Sequence, residues 1–382
     1  MRVLTFLHSF EPGGVERVAL RLVRHWRGQG VDAPLFLGRR EGAMADDVGR
    51  GLDVTMPAQP RIATRHWETL WMILTLPRAI RTLRPDVLFC AGNTYAVVAV
   101  AMKLLLGRGC PPILAKVSND LDRRTKPWPR RMVYRLWLRV QGQFIDHFVG
   151  MEAPMAAEIA EHIGVGDGRV SIIPDPALSI DLIDRLRISP RVETAKAVGR
   201  RFVAVGRLAG QKNLALMLRA FQCGARPGDS LTMFGDGPDR TRLERLAARL
   251  GIGDRVAFRG YVAEPAAQLP QFDVLLLSSD YEGVPAVILE ALAANLWIIA
   301  TDCSRSMATL LRRGSLGALV PVGDEAAFAG AIAQASGNRQ DRVLSLAQAE
   351  RFTVEYSSDA YLKALVRLIP PRVPVKNVLA AG

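Results

Sequence analysis

Twice along this chain, short apolar runs of strand length alternate with segments of helical period, and this alternation restricts the fold more than any other feature. The first series is Val3 to His8, Ala33 to Leu37, Val87 to Cys90, Ile113 to Val117, Phe144 to Val149 and Val170 to Ile173. The second is Phe202 to Val205, Ser230 to Phe234, Val256 to Arg259, Val274 to Ser278, Trp297 to Thr301 and Ala318 to Val320. Strands separated by helices in this way build β-α-β units and a parallel sheet. Between Pro174 and Arg201 the pattern stops, and prolines and charges take over without a strand signal. The spacing therefore predicts two doubly wound α/β domains, residues 1–180 and 195–354, followed by a helix, about 355–382, that packs back across the first. A length of 382 residues gives each domain its own core.

Several classes are excluded early. Cys90, Cys110, Cys223 and Cys303 lie far apart with no Cys-x-x-Cys pair, so neither a zinc framework nor a disulfide scaffold is expected, and a reducing cytoplasm fits. The opening MRVLTFLHSFEPGG reads as a first buried strand and lacks the cleavage site of a signal peptide. The most apolar stretch, Tyr95 to Leu106, is broken by Lys103 and falls short of the roughly 18 residues of a membrane span, so it reads as a core helix. Lys and Arg number 50 against 37 Asp and Glu, and the balance of +13 points to an anionic partner. No nucleic-acid module is recognisable, which leaves a nucleotide or an acidic membrane surface as the expected counterpart.

Three loops can carry chemistry. In HSFEPGGVERVALRLV, Gly13 and Gly14 stand where a strand turns into a helix, so backbone amides can approach a ligand at a helix start that favours negative charge. The spacing is not Gly-x-Gly-x-x-Gly, which speaks against a dinucleotide site. In RFVAVGRLAGQKNLALMLRAF, Arg207 and Lys212 converge on a second helix start, and two cations there suit a diphosphate. In SSDYEGVPAVILEALA, Glu282 falls in a loop and Glu290 on the helix that Pro285 introduces. A ligand across that helix start could meet one carboxylate at each end, and sugar and ribose hydroxyls suit such acceptors. Each loop alone also admits a bland reading as a turn, a solvated surface or a cap.

Together GGVER, VGRL with QKN, FGDGP at Phe234 to Pro238, and EGVPAVILEALA resemble glycosyltransferase family 4, over most of the chain and in the family's order. The resemblance implies a GT-B fold, two Rossmann-like domains facing across a cleft. It also implies a retaining, metal-independent transfer from a UDP- or GDP-type nucleotide sugar, itself a substrate and not a cofactor, to a hydroxyl of a lipid-linked glycan acceptor. Carried over by position, Arg207 and Lys212 match the residues holding the donor diphosphate, Glu290 the residue at the ribose and Glu282 the residue at the donor sugar, beside Gly283, Val284 and Pro285. Gly13, Gly14, Gly206, Gly235 and Gly237 match donor-side turns, and Arg259, Gly260 and Tyr261 the nucleobase contacts. Glu16, Arg17 and Asn93 fall on the acceptor side. A reading as an epimerase or phosphorylase of the same fold, or as a nucleotide-sugar-binding protein without catalysis, stays open.

The sequence departs from the family's pattern in three places. KVSNDL stands where many relatives carry a His near the donor sugar. One of Ser118, Asn119 and Asp120 must fill that space, Asn119 being counted with the catalytic set and the other two with the acceptor side. CSRSMAT puts Ser306 and Thr309 where a Gly and a Glu are usual, and NLWII replaces a Gly-x-Pro turn. Asp120-Leu121-Asp122 imitates a metal motif but is a common chance spacing, and the five histidines show no ligand spacing, so no metal is expected. Finally, Arg123, Arg124, Lys126, Arg130, Arg131, Arg135 and Arg139 run alongside Trp128, Tyr134 and Trp137, and a second stretch repeats the character with Trp67, Trp71, Arg78, Arg81 and Arg84. Aromatics beside cations on an amphipathic helix suit anionic lipids, and equally nucleic acid; taken with the lipid-linked acceptors that the family resemblance implies, the expectation is a cytoplasmic protein peripheral on the inner face of the cell membrane.

Overall fold

A computed structural model describes residues 1–11, 13–39, 41–42, 51–60, 64–119, 121, 127–188, 199–335 and 341–370. The first series of apolar runs forms β1 (Val3–Leu7), β2 (Leu35–Leu37), β3 (Val54–Thr55), β4 (Val87–Cys90), β5 (Ile113–Lys116), β6 (His147–Gly150) and β7 (Val170–Ile172). They make one parallel sheet in the order β3-β2-β1-β4-β5-β6-β7. The second forms β8 (Arg201–Val205), β9 (Ser230–Phe234), β10 (Val256–Gly260), β11 (Val274–Leu277), β12 (Trp297–Thr301) and β13 (Ala318–Val320), in the order β10-β9-β8-β11-β12-β13. Most central strands are buried on both faces, which is why they read as continuous apolar runs.

Helices α1 (Gly14–Gly28), α2 (Glu68–Leu83), α3 (Ala96–Leu106), α4 (Trp128–Phe144) and α5 (Ala153–Ile163) connect the first sheet, and α6 (Ile180–Ile188) follows it. The second sheet carries α7 (Leu214–Gly224), α8 (Arg240–Arg249), α9 (Ala286–Ala293), α10 (Met307–Leu310) and α11 (Glu325–Gln334), after which come α12 (Arg342–Glu350) and α13 (Val354–Leu368). No described helix is long and apolar enough to cross a membrane. In each sheet the order reverses beside the first strand, between β1 and β4 and between β8 and β11. Loops part there at the carboxyl ends of the strands, leaving the crevice in which α/β sheets bind ligands.

The differences from the sequence reading have local causes. Phe144 ends α4, so the strand expected from Phe144 begins at His147. The two-residue β3 is too short for any periodic signal. The last helix starts at Val354, because the Thr353 side chain accepts a hydrogen bond from the Tyr356 amide and caps it. Helix α13 lies on α1, and Tyr361 meets Trp26 and Phe89 edge-on at centroid distances of 6.4 and 5.6 Å. Such pairs contribute about 0.5–1.5 kcal/mol each beyond area burial. Ser357 Oγ donates to the carbonyl of Pro174 and Ser358 Oγ to Gln29 Oε1, so the chain end is tied to the first domain. Helix α6, between the two expected domains, packs against α9 and α12 and thus belongs with the second. Within the basic stretch, Trp128 is exposed but Tyr134 and Trp137 pack inward against the core, so of these three aromatics one faces solvent. Arg123, Arg124 and Lys126 lie outside the described residues, as do residues 371–382 of the expected closing helix.

Candidate active site

The chemistry-bearing residues of the second domain gather at the carboxyl ends of β8 to β11. Lys212 arrives at the end of a single 3-10 turn, Gly210–Lys212, and Asn213 then takes the left-handed conformation (φ 44°) that lets α7 start in a new direction. The lysine chain passes over Gly206, and its Nζ lies 2.6 Å from Glu282 Oε1. Arg207 projects into solvent two residues past β8, with no ion pair among the described residues. A β-carbon at Gly235 would run into the carbonyl of Gly206, while the Gly235 amide donates to the carbonyl of Gly260 at 2.7 Å. The loops after β8, β9 and β10 therefore stand shoulder to shoulder, with exposed backbone where a phosphate could come close. Gly237 fits against the Leu208 backbone in the same way.

The loop between β11 and α9 is held from three sides. Gln211 Nε2 donates to the carbonyl of Tyr281, Asn213 Nδ2 to Asp280 Oδ1, and Ser304 Oγ to the carbonyl of Gly283, at 2.8, 2.9 and 2.8 Å. Ser304 thus fixes the loop in the segment where the sequence departs from its relatives, whereas Thr309 is exposed and Ser306 precedes α10. At the other departure, Asn295 takes a left-handed conformation (φ 58°) in place of a glycine, which asparagine tolerates. Val284 and Pro285 are buried, Pro285 preceding α9. Arg259 and Tyr261 flank Gly260 at the rim and are exposed.

Glu290, on α9, is buried against the first domain. Burial pushes its carboxyl pKa up, and Arg21 and then Arg17 of α1 oppose that shift. Arg17 also donates to the carbonyl of Ala263 at 3.4 Å, across the domain boundary. Arg17, expected on the acceptor side, thus reaches across to the second domain. Arg21 was not singled out from the sequence. It is half-buried, donates to the carbonyls of Pro176 and Ala177, and looks like any helix arginine until two domains are docked.

On the first domain, Asn93 and Ser118 come together: Asn93 Oδ1 accepts from the Ser118 amide at 2.7 Å, and Ser118 Oγ accepts from the Asn93 amide at 3.3 Å. The Ser118 backbone presses on Gly283, where a β-carbon would collide with the Ser118 carbonyl and Met151 Cε. Ser118 is thus the residue of the KVSND segment seen to reach the opposite domain. Asn119 is half-buried beside it, and Asp120 lies outside the described residues. Glu16 Oε1 accepts from Tyr95 Oη at 2.7 Å, burial raises the Glu16 pKa, and its other oxygen lies against Gly13, which caps α1. Gly14 opens α1 with free space where a side chain would be. Among the described residues no group of three or more His, Cys, Asp or Glu is arranged to hold a metal.

Comparison with known proteins matches the two halves separately. The family described as "Glycosyltransferase Family 4" matches residues 12–176, and "Glycosyl transferases group 1" matches residues 199–338. The lipopolysaccharide core biosynthesis glycosyltransferase LpsE of Rhizobium meliloti is 34% identical over 172 residues, 43% of this chain and 48% of the relative. The chain thus spans about half the length of that relative. LpsD of the same organism is 25% identical over 375 residues, 96% of this chain and 98% of its own. Among solved structures, HepE of Anabaena in complex with UDP and glucose superposes with a TM-score of 0.73 at 17% identity, covering 96% of this chain and all of its own (100%).

Proposed function

The chain belongs to the group 1, family 4 glycosyltransferases and has their GT-B fold, and on that premise we propose that it moves a sugar from a UDP- or GDP-type nucleotide sugar to a hydroxyl of a lipid-linked glycan in cell-surface polysaccharide synthesis. The observation that carries this reading is the Lys212–Glu282 ion pair at the crevice of the second sheet, with Arg207 beside it and three glycine turns behind. Relatives named for lipopolysaccharide core synthesis and a neighbour holding UDP support the same substrate class.

In this scheme the acceptor oxygen attacks the anomeric carbon from the face the nucleotide leaves, so configuration is retained. The carbon–phosphate oxygen bond breaks, the departing phosphate takes the acceptor's proton, and Lys212 and Arg207 balance its charge with no metal required. A thermal-shift screen against UDP, GDP and ADP tests the donor class, since binding to the native state raises apparent stability. A rise with UDP or GDP that Lys212→Ala abolishes is expected. No rise with any nucleotide would favour a protein without catalysis, and turnover that depends on inorganic phosphate, or needs no acceptor hydroxyl, would favour a phosphorylase or an epimerase.

Glu290→Gln separates binding from stability. A carboxyl whose pKa is raised on folding holds its proton more tightly in the native state, so its contribution to stability falls as pH rises through and above the usual carboxylate range. The variant is expected to melt higher than the parent at pH 7.5, with the gap closing toward pH 4. Its affinity for the nucleotide is expected to drop about 10-fold or more, the worth of a hydrogen bond to a charged group.

A membrane surface is the partner that a second observation favours. Helices α2, α3 and α4 pack side by side and expose Leu74, Leu104, Trp128, Val133 and Leu136 among Arg78, Arg81, Arg130 and Arg135. Flotation with vesicles containing anionic lipid is expected to carry the protein at low salt and to lose it as salt rises, at about 1 kcal/mol per cation. Equal binding to neutral vesicles, or none to either, would remove this reading.

A further inference from the structure

The chain crosses between the two domains twice, and the crossings are tied to each other. Before α6 the Leu178 amide donates to the carbonyl of Phe352 at 3.0 Å, and the Val354 amide donates to the carbonyl of Leu178 at 2.9 Å. Arg351 sits at the second crossing, between α12, which packs on α9 of the second domain, and α13, which lies on α1 of the first. Its Nη2 lies 3.3 Å from Oε1 of Glu152, the residue just ahead of α5 in the first domain. The Glu152 side chain is 3% exposed and that of Arg351 40%. An ion pair on an open surface contributes little, whereas loss of this arginine would leave an enclosed carboxylate without its partner.

This pair is one link in a ring of contacts that closes on the Gly283 loop. Arg351 Nη1 donates to Gln348 Oε1 at 3.1 Å, and the buried Gln348 donates through Nε2 to the carbonyls of Thr309 and Leu310 in α10, both at 3.2 Å. Ahead of α10, Ser304 Oγ holds the Gly283 carbonyl at 2.8 Å. From the first domain, Met151, next to Glu152 and itself buried, bears on the same glycine: a β-carbon at Gly283 would stand 2.7 Å from Met151 Cε. Two successive residues of one turn thus touch the Gly283 loop and the domain crossing. A shift of Glu152 away from Arg351 carries Met151 with it and opens the contact at Gly283.

Resting on the transferase reading above, we propose that Glu152 is a positioning residue, whose ion pair with Arg351 holds Met151 on the Gly283 loop and fixes the closed spacing of the two domains at which transfer occurs. Spin labels on Cys223 of α7 and on an Arg108→Cys change beyond α3, both exposed positions, read that spacing as a distribution of distances, since Cys90, Cys110 and Cys303 are buried. Without nucleotide, Glu152→Gln and Arg351→Met are each expected to raise the population at longer distance at least 3-fold over the parent. The two together are expected to do no more than the larger single change, because a pair once broken cannot be broken again. Glu152→Gln keeps the shape of the side chain and carries the test even if Arg351→Met does not fold. Parental distributions in the folded variants, or effects that add in the double variant, would overturn the proposal. The thermal shift with UDP or GDP, measured on the same samples, reports the donor site independently: its absence from the parent would count against the transferase reading, its persistence beside unchanged distances against the latch alone.

Discussion

Lys212→Ala is expected to lower turnover by about 10²–10³-fold, the measured scale of removing one preorganised charge or donor from a transition state and about 2.7–4 kcal/mol. The ammonium is held in place before any substrate arrives, by the 3-10 turn that delivers it, by the Gly206 backbone beneath its chain and by Glu282 at 2.6 Å. Its replacement removes a cation from the leaving phosphate and also leaves the Glu282 carboxylate, 11% exposed, without its partner. Glu282→Gln in the Lys212→Ala background separates the two effects: recovery of nucleotide affinity without recovery of rate would assign the rate loss to the missing cation. Arg207→Ala is expected to cost about 10²-fold with an unchanged melting curve, because that side chain reaches solvent and supports no packing. Parental single-turnover rates in both variants would remove this mechanism.

Gly283→Val is expected to cost 10²-fold or more in turnover while the second domain still binds its nucleotide. The side chain would be driven into the Ser118 carbonyl and Met151, both from the first domain, so the two halves could not close to the observed distance. Displacement by about 1 Å of an acceptor from a donor is enough for a loss of this size. The φ of Gly283 is not in the left-handed region, so the substitution strains the domain contact and not the local backbone. A thermal shift with UDP that persists in the variant, together with a collapsed transfer rate, is the expected pair of results. A parental rate would mean that closure at Ser118 is not part of the reaction.

Much of this molecule can be read from local sequence. Strand runs such as Val274 to Leu277 and Trp297 to Thr301 are apolar on both faces because their sheet is covered on both sides, so burial writes itself directly into composition. Glu282 in a loop and Glu290 on a helix follow from Pro285, which fixes the backbone just ahead of α9. Gly206, Gly235 and Gly260 are legible as turns, since each has a positive φ that other residues avoid.

The assembly of the cleft was decided elsewhere. His8 reads as an ordinary histidine at a strand end, and only the ring of Tyr95 beside it and the absence of any described partner reveal an unpaired imidazole. Arg17 and Arg21 are one helical turn apart and indistinguishable from surface cations by spacing, yet both face Glu290 of the other domain. Ser118 touches Gly283, and Ser304 fixes the same loop from the next strand's end. The sequence by itself determined the two sheets, their turns and the residues able to carry phosphate and sugar chemistry, because these depend on backbone preferences and periodicity within a few neighbours. Which of those residues meet was left to the tertiary structure, because the docking of two separately folded sheets brings together side chains that no local rule relates.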